Sequence, residues 1–345
     1  MDKLIGYESE ILNGNMLSVQ VNLLNKCPSR CLSCRKYEWP DVQIPYDKLE
    51  MLLTSLKGQG LQTVVFSGGD PLMYHMLPDA IHFCVENGIK FSLITTLICK
   101  DDALLELIAK TAYRIHVSID SVSDEMYKYI RGVDGLSIVK DSIKKINAVR
   151  PKDMIPIRIS STMSNLNFKE TYALYDFAKV NNCLVNFYNL HTWENLKMSN
   201  VDRDLFQCGL KQIVDDEIKN NKQISNARSL YCDNWFGSSG ATYKDENMPC
   251  YLPIVNATID SNGDIYPCCK LLNDNGEYGE QTKYAYGNIR NCTTVSDIDF
   301  EFAKRFDLHY GIDCDVCKEC AQRYCGVIED LFVINNKNKR EPMFL

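Results

Sequence analysis

The sequence predicts an α/β fold in which a parallel β-sheet flanked by helices is followed by a small cysteine-rich unit. Between residues 16 and about 190, short β-rich runs alternate with stretches of helical periodicity. Past residue 195 the chain becomes polar and then rich in Gly, Asn, Cys and Tyr. Of the 16 cysteines, three cluster near the start of the chain and four near its end. Together these features indicate one large α/β domain with a different unit after it.

Six runs of β-branched and aromatic residues predict the strands of this sheet. Apolar residues such as Leu49, Leu52 and Leu56 lie on one face of the helix that precedes the second run. Repeated strand–helix units imply right-handed crossovers, in a sheet that is either doubly wound or closed toward a barrel. In both architectures the active site lies at the carboxyl ends of the strands. The predicted strands are 16–22, 63–67, 90–95, 114–120, 155–160 and 184–189.

The second unit is predicted from one hairpin and from its cysteine content. The stretch "NATIDSNGDIYPCC" predicts two strands joined by a turn at Asn262-Gly263. Few apolar runs follow, so we expect metal rather than a core to hold this unit together. The predicted divisions are a leading segment at 1–15, a first domain at 16–200, a helical linker at 201–235 and a cysteine-rich domain at 236–345.

Composition and charge exclude several functional classes. The net charge of −7 leaves no general basic surface, which weighs against nucleic-acid binding. No run of about 18 apolar residues is present, and the amino terminus lacks the layout of a signal peptide, so we expect a cytoplasmic protein without a membrane partner. In a reducing compartment, this many cysteines indicate metal or redox chemistry rather than disulfides.

The first cysteine group, "KCPSRCLSC", directly follows the first predicted strand and comprises Cys27, Cys31 and Cys34. Three thiolates can bind three irons of a [4Fe–4S] cluster and leave the fourth iron open. Structural zinc is the first alternative, but it normally has four ligands, and no further Cys or His stands nearby. His75 and His116 could contribute from other loops, although neither has ligand spacing. Three loop cysteines without metal are a second alternative.

This CxxxCxxC motif, placed after the first of six strand–helix units, resembles that of the radical S-adenosylmethionine (SAM) enzymes. In that family the core is a partial (β/α)6 TIM barrel, and the amine and carboxylate of SAM chelate the open iron. Electron donation from the cluster then yields a 5′-deoxyadenosyl radical that abstracts hydrogen. The resemblance implies a [4Fe–4S] cluster with an open site, bound SAM and an electron donor of the flavodoxin or ferredoxin type.

Three further motifs carry the same resemblance. "SGGDP" resembles the family's GGEP motif after the second strand, where glycines let backbone carbonyls approach the SAM ammonium. "SIDS" resembles its Ser-x-Asp, and "YIRGVDG" its Arg-Gly-x-x-Gly, with the arginine as candidate partner of the SAM carboxylate. An ordinary turn or plain surface structure is the alternative for each. The residues implied in SAM binding are Gly68, Gly69, Asp70, Ser118, Asp120 and Arg131.

Two positions depart from the family pattern. The residue before the third cysteine is commonly aromatic in the family but is Ser33 here, for which Tyr37 or Trp39 could substitute. The family's Thr-Asn-Gly after the third strand reads Thr-Thr-Leu at 95–97, so adenine contacts are not transferred to that loop.

The second cysteine group resembles the SPASM/Twitch extension of radical SAM enzymes, which binds auxiliary clusters. Cys250, Gly263 and Cys268 fit C-x(9–15)-G-x4-C, and "CDVCKECAQRYCG" follows later. The late spacing is one residue short of the full pattern, which leaves one [4Fe–4S] cluster favoured, with two clusters or zinc as alternatives. The favoured ligands are Cys250, Cys268, Cys317 and Cys320, Cys314 with Cys317 is the alternative late pair, and Cys325 completes the candidate set.

Two sets of residues are candidates for the substrate side of the chemistry. Cys269 follows a predicted ligand and is expected to point elsewhere, toward the barrel mouth, where its thiol could donate a hydrogen atom; a spare cysteine is the alternative. Cys84 lies on an apolar helix face and is predicted to pack in the core. Tyr188, His191 and Trp193 end the sixth strand and could line the substrate cavity or simply pack.

The leading hypothesis is therefore a radical SAM enzyme with an auxiliary cluster. By resemblance, its substrate is a ribosomally synthesised peptide that is crosslinked, oxidised or epimerised. Dehydrogenation or epimerisation of a small molecule such as a sugar or aminocyclitol is the alternative. Only 26 residues precede the first cysteine, so we expect no amino-terminal peptide-recognition domain. That expectation weakens the preference for a peptide without removing it. An iron–sulfur electron-transfer or scaffold protein is the non-enzyme alternative, although it would need a fourth cysteine to close the first cluster.

Overall fold

The computed structural model describes residues 15–190, 193–232, 256–269, 271–272 and 279–307. The strands are β1 (Ser18–Leu24), β2 (Thr63–Gly68), β3 (Lys90–Thr95), β4 (Arg114–Ser118), β5 (Arg158–Met163), β6 (Leu184–Asn189), β7 (Asn256–Ile259), β8 (Asp264–Tyr266) and β9 (Gly287–Asn288). The α-helices are α1 (Tyr46–Gly58), α2 (Leu77–Glu86), α3 (Asp102–Thr111), α4 (Asp124–Arg131), α5 (Leu136–Val149), α6 (Thr171–Val180), α7 (Asn200–Asn220), α8 (Ala227–Cys232) and α9 (Val295–Ala303).

All nine strands belong to one open sheet, in the order β6-β5-β4-β3-β2-β1-β7-β8-β9. Strands β1 to β6 pair in parallel with their neighbours in sequence, each joined to the next by helices. This arrangement confirms the predicted parallel sheet, and its open form is that of a partial barrel. The carboxyl ends of six strands therefore meet at one edge of the sheet, which is called the mouth below.

Some element boundaries differ from the predicted ones. Strand β5 begins at Arg158 rather than at 155, because Pro156 has no backbone N–H to donate to a neighbouring strand. Strand β1 continues to Leu24, which pairs with Gly68 after an irregularity in the register. Helix α4 was not predicted; the Ser123 side chain caps its amino end, accepting a hydrogen bond from the backbone N–H of Met126.

The two faces of the sheet have different compositions. Along each strand, every second side chain points away from the helices, and these side chains form a largely polar face, which is called the inner face. The opposite face is apolar and packs against the helices in one continuous core, with Val19, Val21, Phe66, Leu93 and Val117 all buried. The inner face includes Gln20, Asn22, Ser92, Arg114, His116, Ser118, Arg158, Ser160, Thr162, Asn186, Tyr188 and Thr258.

The predicted hairpin is confirmed, and it extends the same sheet. Strand β7 pairs in parallel with β1, and β8 returns antiparallel to β7 after a turn in which Gly263 has a φ of 85°. Helix α9 packs against α1, where the Ser55 hydroxyl donates to the Asp299 carboxylate at 2.6 Å. Ile298 and Phe302 of α9 are buried in the common core.

The expectation that metal rather than a core holds the second unit is thus wrong for its described part, because that part shares the sheet and the core of the first. No helix among the residues described here is long and apolar enough to cross a membrane.

Candidate active site

The loop that carries Cys27, Cys31 and Cys34 follows β1 at the mouth, as predicted, and all three side chains are half-buried. A turn closes between the backbone N–H of Cys34 and the carbonyl of Cys31 at 3.1 Å. The backbone N–H of Ser29 points at Cys27 Sγ at 3.5 Å. Burial, reinforced by the charge of Asp70, raises the pKa of the Cys27 thiol to about 12. A thiolate at this position therefore needs a nearby cation.

On one side, this loop packs against the glycine-rich segment after β2. The backbone N–H of Gly69 donates to the carbonyl of Leu24 at 2.6 Å, and that of Asp70 to the carbonyl of Lys26 at 2.9 Å. A Cβ atom at Gly69 would lie 2.2 Å from the Lys26 oxygen, which no side chain tolerates. Glycine is thus required here because the backbone lies in close contact with the cysteine loop, which the sequence did not show. Their predicted approach to SAM stays a prediction.

On its other side, the loop packs against the end of α4. The backbone N–H groups of Arg30 and Leu32 donate to the carbonyls of Arg131 and Ile130 at 2.9 and 3.0 Å. Gly132 has a φ of 64°, and a Cβ there would lie 2.4 Å from the Arg30 oxygen. Two motifs that are remote in sequence therefore hold the cysteine loop between them by backbone contacts.

The side chain of Asp70 joins the loops that follow β2 and β3. Its buried carboxylate accepts hydrogen bonds from the backbone N–H groups of Leu72 and Thr96 at 3.0 and 2.9 Å, and from the Thr95 hydroxyl at 2.8 Å. Burial raises its pKa, and these hydrogen bonds oppose that rise. Both oxygens are used within the protein, so a contact between this side chain and SAM stays a prediction.

Asp120 and Arg131 form a buried ion pair beneath the cysteine loop. Arg131 Nε lies 2.7 Å from Asp120 Oδ2, and Arg131 Nη1 lies 3.6 Å from Cys31 Sγ. Asp120 also accepts a hydrogen bond from the Thr162 backbone N–H at 2.7 Å. Burial alone would lower the pKa of Arg131, but the charges of Asp120 and Cys31 raise it above its usual value. The arginine therefore contacts a cysteine of the first group, and its candidate contact with the SAM carboxylate stays a prediction.

Sequence reasoning missed two residues that support this site. Tyr127 lies one helical turn before Arg131, and its buried hydroxyl has no hydrogen-bond partner among the described residues. Glu170 accepts hydrogen bonds from the Ser121 hydroxyl at 2.7 Å and the Val122 backbone N–H at 3.0 Å, which fastens the loop after β4. The spacing of Tyr127 and Arg131 on one helix face was the only available signal, because Glu170 is remote in sequence.

The two departures from the family pattern have structural counterparts. Leu97 has a φ of 57°, so the loop after β3 keeps a left-handed residue where the family pattern has glycine. Of the two aromatic candidates near Ser33, Trp39 is buried and Tyr37 is 45% exposed, so only Tyr37 is accessible. Ser118 lies half-exposed at the end of β4, on the inner face.

The turn of the hairpin lies at the mouth, and the end of its second strand lies at the opposite, amino-terminal side of the sheet. The Ser261 hydroxyl in its turn donates to Asn25 Oδ1 at 2.7 Å, which supports the start of the cysteine loop. Strand β8 runs antiparallel to β7, so the segment with Cys268 and Cys269 begins on the side of the amino edge. Strand β8 runs away from the mouth, whereas the sequence analysis expected Cys269 to point toward it; the direction of its thiol stays a prediction. The other predicted auxiliary ligands, Cys250, Cys314, Cys317, Cys320 and Cys325, lie outside the described residues.

The remaining candidates divide between the inner face and the core. Tyr188 lies on the inner face and is 39% exposed, which fits a cavity-lining position. Trp193 is half-buried after β6, and His191 lies outside the described residues. Cys84 is fully buried among the helix-packed residues, as predicted.

The residues at the mouth fit an iron–sulfur cluster by their chemistry. Within the described ranges, no three His, Cys, Asp or Glu side chains are grouped so that they could hold a single metal ion. The three thiols lie on one loop, and two of them already have an N–H group directed at sulfur, from Ser29 and Arg131. Such N–H donors are typical partners of iron-bound thiolates.

Two family models match the chain. The model described as the radical SAM superfamily matches residues 21–167, and the SPASM model, described as an iron–sulfur cluster-binding domain, matches residues 250–321. A probable GTP 3′,8-cyclase of Thermococcus kodakarensis is 27% identical over 166 residues, which are 47% of this chain and 52% of that protein. The chain thus spans about half the length of this curated relative.

Solved structures resemble the fold over most of its length. SuiB of Streptococcus suis bound to S-adenosylmethionine has a TM-score of 0.65 at 17% identity, over 97% of this chain and 78% of SuiB. Native anSMEcpe with bound AdoMet and the Cp18Cys peptide has a TM-score of 0.61 at 16% identity, over 88% of this chain and 86% of that one. The chain therefore belongs to the radical SAM superfamily of enzymes and carries a carboxyl-terminal SPASM domain, so its cofactors are a [4Fe–4S] cluster, SAM and auxiliary iron–sulfur clusters.

Proposed function

We propose that this enzyme abstracts a C–H hydrogen from a ribosomally synthesised peptide, which is crosslinked, oxidised or epimerised as a result. The supporting observation is the cysteine loop held at the mouth of a partial barrel whose inner face is polar. Support for a peptide comes from the fold likeness to SuiB, which has also been solved with its precursor peptide SuiA, at a TM-score of 0.63. The likeness to SuiB extends to the fold, and that the substrate of this enzyme is a peptide is our inference from it.

In this proposal Cys27, Cys31 and Cys34 hold three irons of the first cluster. When bound, the cluster and SAM together supply the 5′-deoxyadenosyl radical that removes the substrate hydrogen. The protein keeps the loop at the mouth through its backbone contacts with Gly69 and Arg131. The Arg131 guanidinium donates to Cys31 Sγ, so it stabilises the thiolate form of that ligand. Gly68, Asp70 and Ser118 surround the same edge and are proposed to shape the SAM site.

The auxiliary chemistry is assigned to the second cysteine group. We assign Cys250, Cys268, Cys317 and Cys320 as ligands of one auxiliary cluster, with Cys314 and Cys325 as the remaining candidates. Because Cys269 follows β8 on the amino-edge side, a hydrogen atom from its thiol would reach the substrate from the side opposite to the mouth. A flavodoxin or ferredoxin is the proposed electron donor.

The experiment uses anaerobically reconstituted protein with SAM and dithionite, and measures 5′-deoxyadenosine by chromatography. Replacing Cys27, Cys31 and Cys34 together by alanine should abolish its formation while auxiliary iron remains bound. The matched control is Cys208→Ala, which removes an exposed cysteine from α7. Cleavage retained in the triple variant would contradict the assignment, and iron binding without any cleavage in the unaltered protein would support a scaffold or electron-transfer protein.

A small anionic molecule is the second candidate substrate. It is favoured by the sequence similarity to a probable GTP 3′,8-cyclase and by the basic residues on the inner face. Incubation with the product of a short open reading frame next to the gene distinguishes the two candidates. A change in the mass or stereochemistry of that peptide supports peptide modification, and an unchanged peptide beside a converted small molecule supports the second candidate.

A further inference from the structure

Three basic side chains meet on the inner face, below the mouth. Arg114 and His116 alternate with apolar residues along β4, and the register of β4 and β5 places Arg158 directly opposite His116. All three are buried, His116 to 1% exposure and the two arginines to 7% each. Ser118, at the end of β4, lies two residues beyond His116, so the three side chains begin about 7 Å below the mouth.

Burial and the two neighbouring arginines keep His116 in its neutral form. Burial, and then the charges of Arg158 and Arg114, lower the pKa of His116 to about 3. The guanidinium carbon of Arg114 lies over the Tyr113 ring at 5.1 Å from the centroid, and Lys90 Nζ lies over the same ring at 4.9 Å. The two cations that act on the His116 imidazole are therefore Arg158 and Arg114, and the Tyr113 ring supports the second of them. This imidazole can still donate one N–H hydrogen bond.

Several polar atoms on this face have no hydrogen-bond partner among the described residues. Both ring nitrogens of His116 belong to this set, as do Gln20 Oε1, Asn22 Nδ2 and Thr258 Oγ1. Their side chains are all at least nine-tenths buried. Buried polar atoms in native proteins are almost always paired, so a set of them on one face indicates a site that receives a polar ligand.

We propose that Arg114, His116 and Arg158 form an oxyanion-binding floor of the substrate cavity, which receives one carboxylate or phosphate group of the substrate. Two planar guanidinium groups suit either oxyanion, because each can present parallel N–H donors to two oxygens. This inference rests on the proposed function, since it takes the inner face as the substrate site, and it adds that the substrate is anionic. The floor then sets how far the anionic group lies from the carbon that is attacked at the mouth.

Calorimetric titration of the anaerobically reconstituted full-length protein, with SAM bound, tests this proposal. The probes are N-acetyl-L-glutamate for a carboxylate and inorganic phosphate for a phosphate. We expect one of them to bind, and Arg158→Met or Arg114→Met to weaken that binding at least about tenfold. The control Arg228→Met removes an exposed arginine from α8 and should leave the affinity unchanged. Carboxylate binding indicates an acidic side chain or chain terminus, and phosphate binding indicates a phosphorylated substrate.

Two further measurements keep the result interpretable. Circular dichroism and iron content show whether each variant is folded. If a methionine variant fails to fold, Arg158→Lys is used in its place, because lysine keeps the positive charge but loses the planar donors. In protein with ¹³C-labelled histidine, the probe should shift the His116 signal, identified through His116→Gln. The proposal would be overturned if neither probe binds, or if the methionine variants and the control variant bind the probe equally well. An unaltered protein that binds the probe without forming 5′-deoxyadenosine would instead contradict the proposed function.

Discussion

Replacing Arg131 by methionine should destabilise the protein and alter the first cluster through one lost cation. The change removes the partner of the buried Asp120 carboxylate, 2.7 Å away, and the donor 3.6 Å from Cys31 Sγ. Both members of the ion pair are more than nine-tenths buried, so water cannot replace the missing charge. Methionine keeps most of the side-chain volume, which separates loss of charge from loss of packing.

The expected cost follows from leaving one buried charge without its partner. Breaking a buried pair on one side costs about 3–5 kcal/mol in the free energy of unfolding. For domains of this size, that corresponds to a fall of roughly 6–20 °C in the melting temperature. The Thr162 backbone N–H still donates to Asp120, which places the result toward the lower end. Loss of an N–H donor to sulfur should also make the reduction potential of the first cluster more negative.

A double-mutant cycle with Asp120→Asn tests this reasoning. Asparagine keeps an acceptor for Thr162 but carries no charge, so the double variant Asp120→Asn/Arg131→Met should be less destabilised than the sum of the single variants, by about 1 kcal/mol or more. The assay is anaerobic urea unfolding of reconstituted protein, followed by circular dichroism. Lys128→Met, which removes an exposed ion pair from the same helix, should change stability by less than about 1 kcal/mol. Additive effects within about 0.5 kcal/mol would refute the buried-pair explanation.

Two other predictions follow from the same region and from the hairpin. Gly69→Ala should displace the cysteine loop, because its methyl group would lie 2.2 Å from the Lys26 oxygen. The iron content of the reconstituted protein should therefore fall. The control Gly58→Ala, whose methyl group would have no atom within 4 Å, should retain the full iron content. Burial and then Asp264 raise the pKa of Asp260 from 3.8 to about 6. Between about pH 4 and pH 6 the Asp260 carboxyl is therefore protonated in the folded protein but ionised in the unfolded chain. Its contribution to the free energy of unfolding thus falls as pH rises through this range. Asp260→Asn should remove that slope in urea unfolding, and an unchanged slope would contradict it.

Much of the fold could be predicted because its signals are local. The β-rich runs at 90–95 and 184–189 identified two strands whose bounds agree with β3 and β6. The Asn262-Gly263 turn identified the hairpin. Helix α4 was missed because its short sequence, DEMYKYIR, has mostly polar residues and only a brief apolar repeat. That omission concealed the spacing that brings Tyr127 and Arg131 to one buried face.

The candidate site was predicted less completely than the fold. Placing Cys27 at the mouth needed only the rule that parallel strands share a carboxyl edge. The contacts of Asp70 with Thr95 and Thr96 and of Arg131 with Cys31 could not be predicted, because 25 residues or more separate these partners. The pairing of Asp120 with Arg131 depends on the helix that was missed. The direction in which the chain runs through β8 depended on its pairing with β7, and strand order is not encoded in the residues next to it.

The sequence by itself determined that a parallel sheet forms, that three cysteines follow its first strand and that a hairpin comes after the sixth. These properties depend on side-chain alternation and turn residues within a few positions of one another. Only the tertiary structure decided that Arg158 faces His116 and that Asp120 pairs with Arg131. Strand register is responsible for the first, because a shift of one residue would turn each side chain to the opposite face of the sheet. Burial is responsible for the second, because it excludes the water that would otherwise solvate both charges.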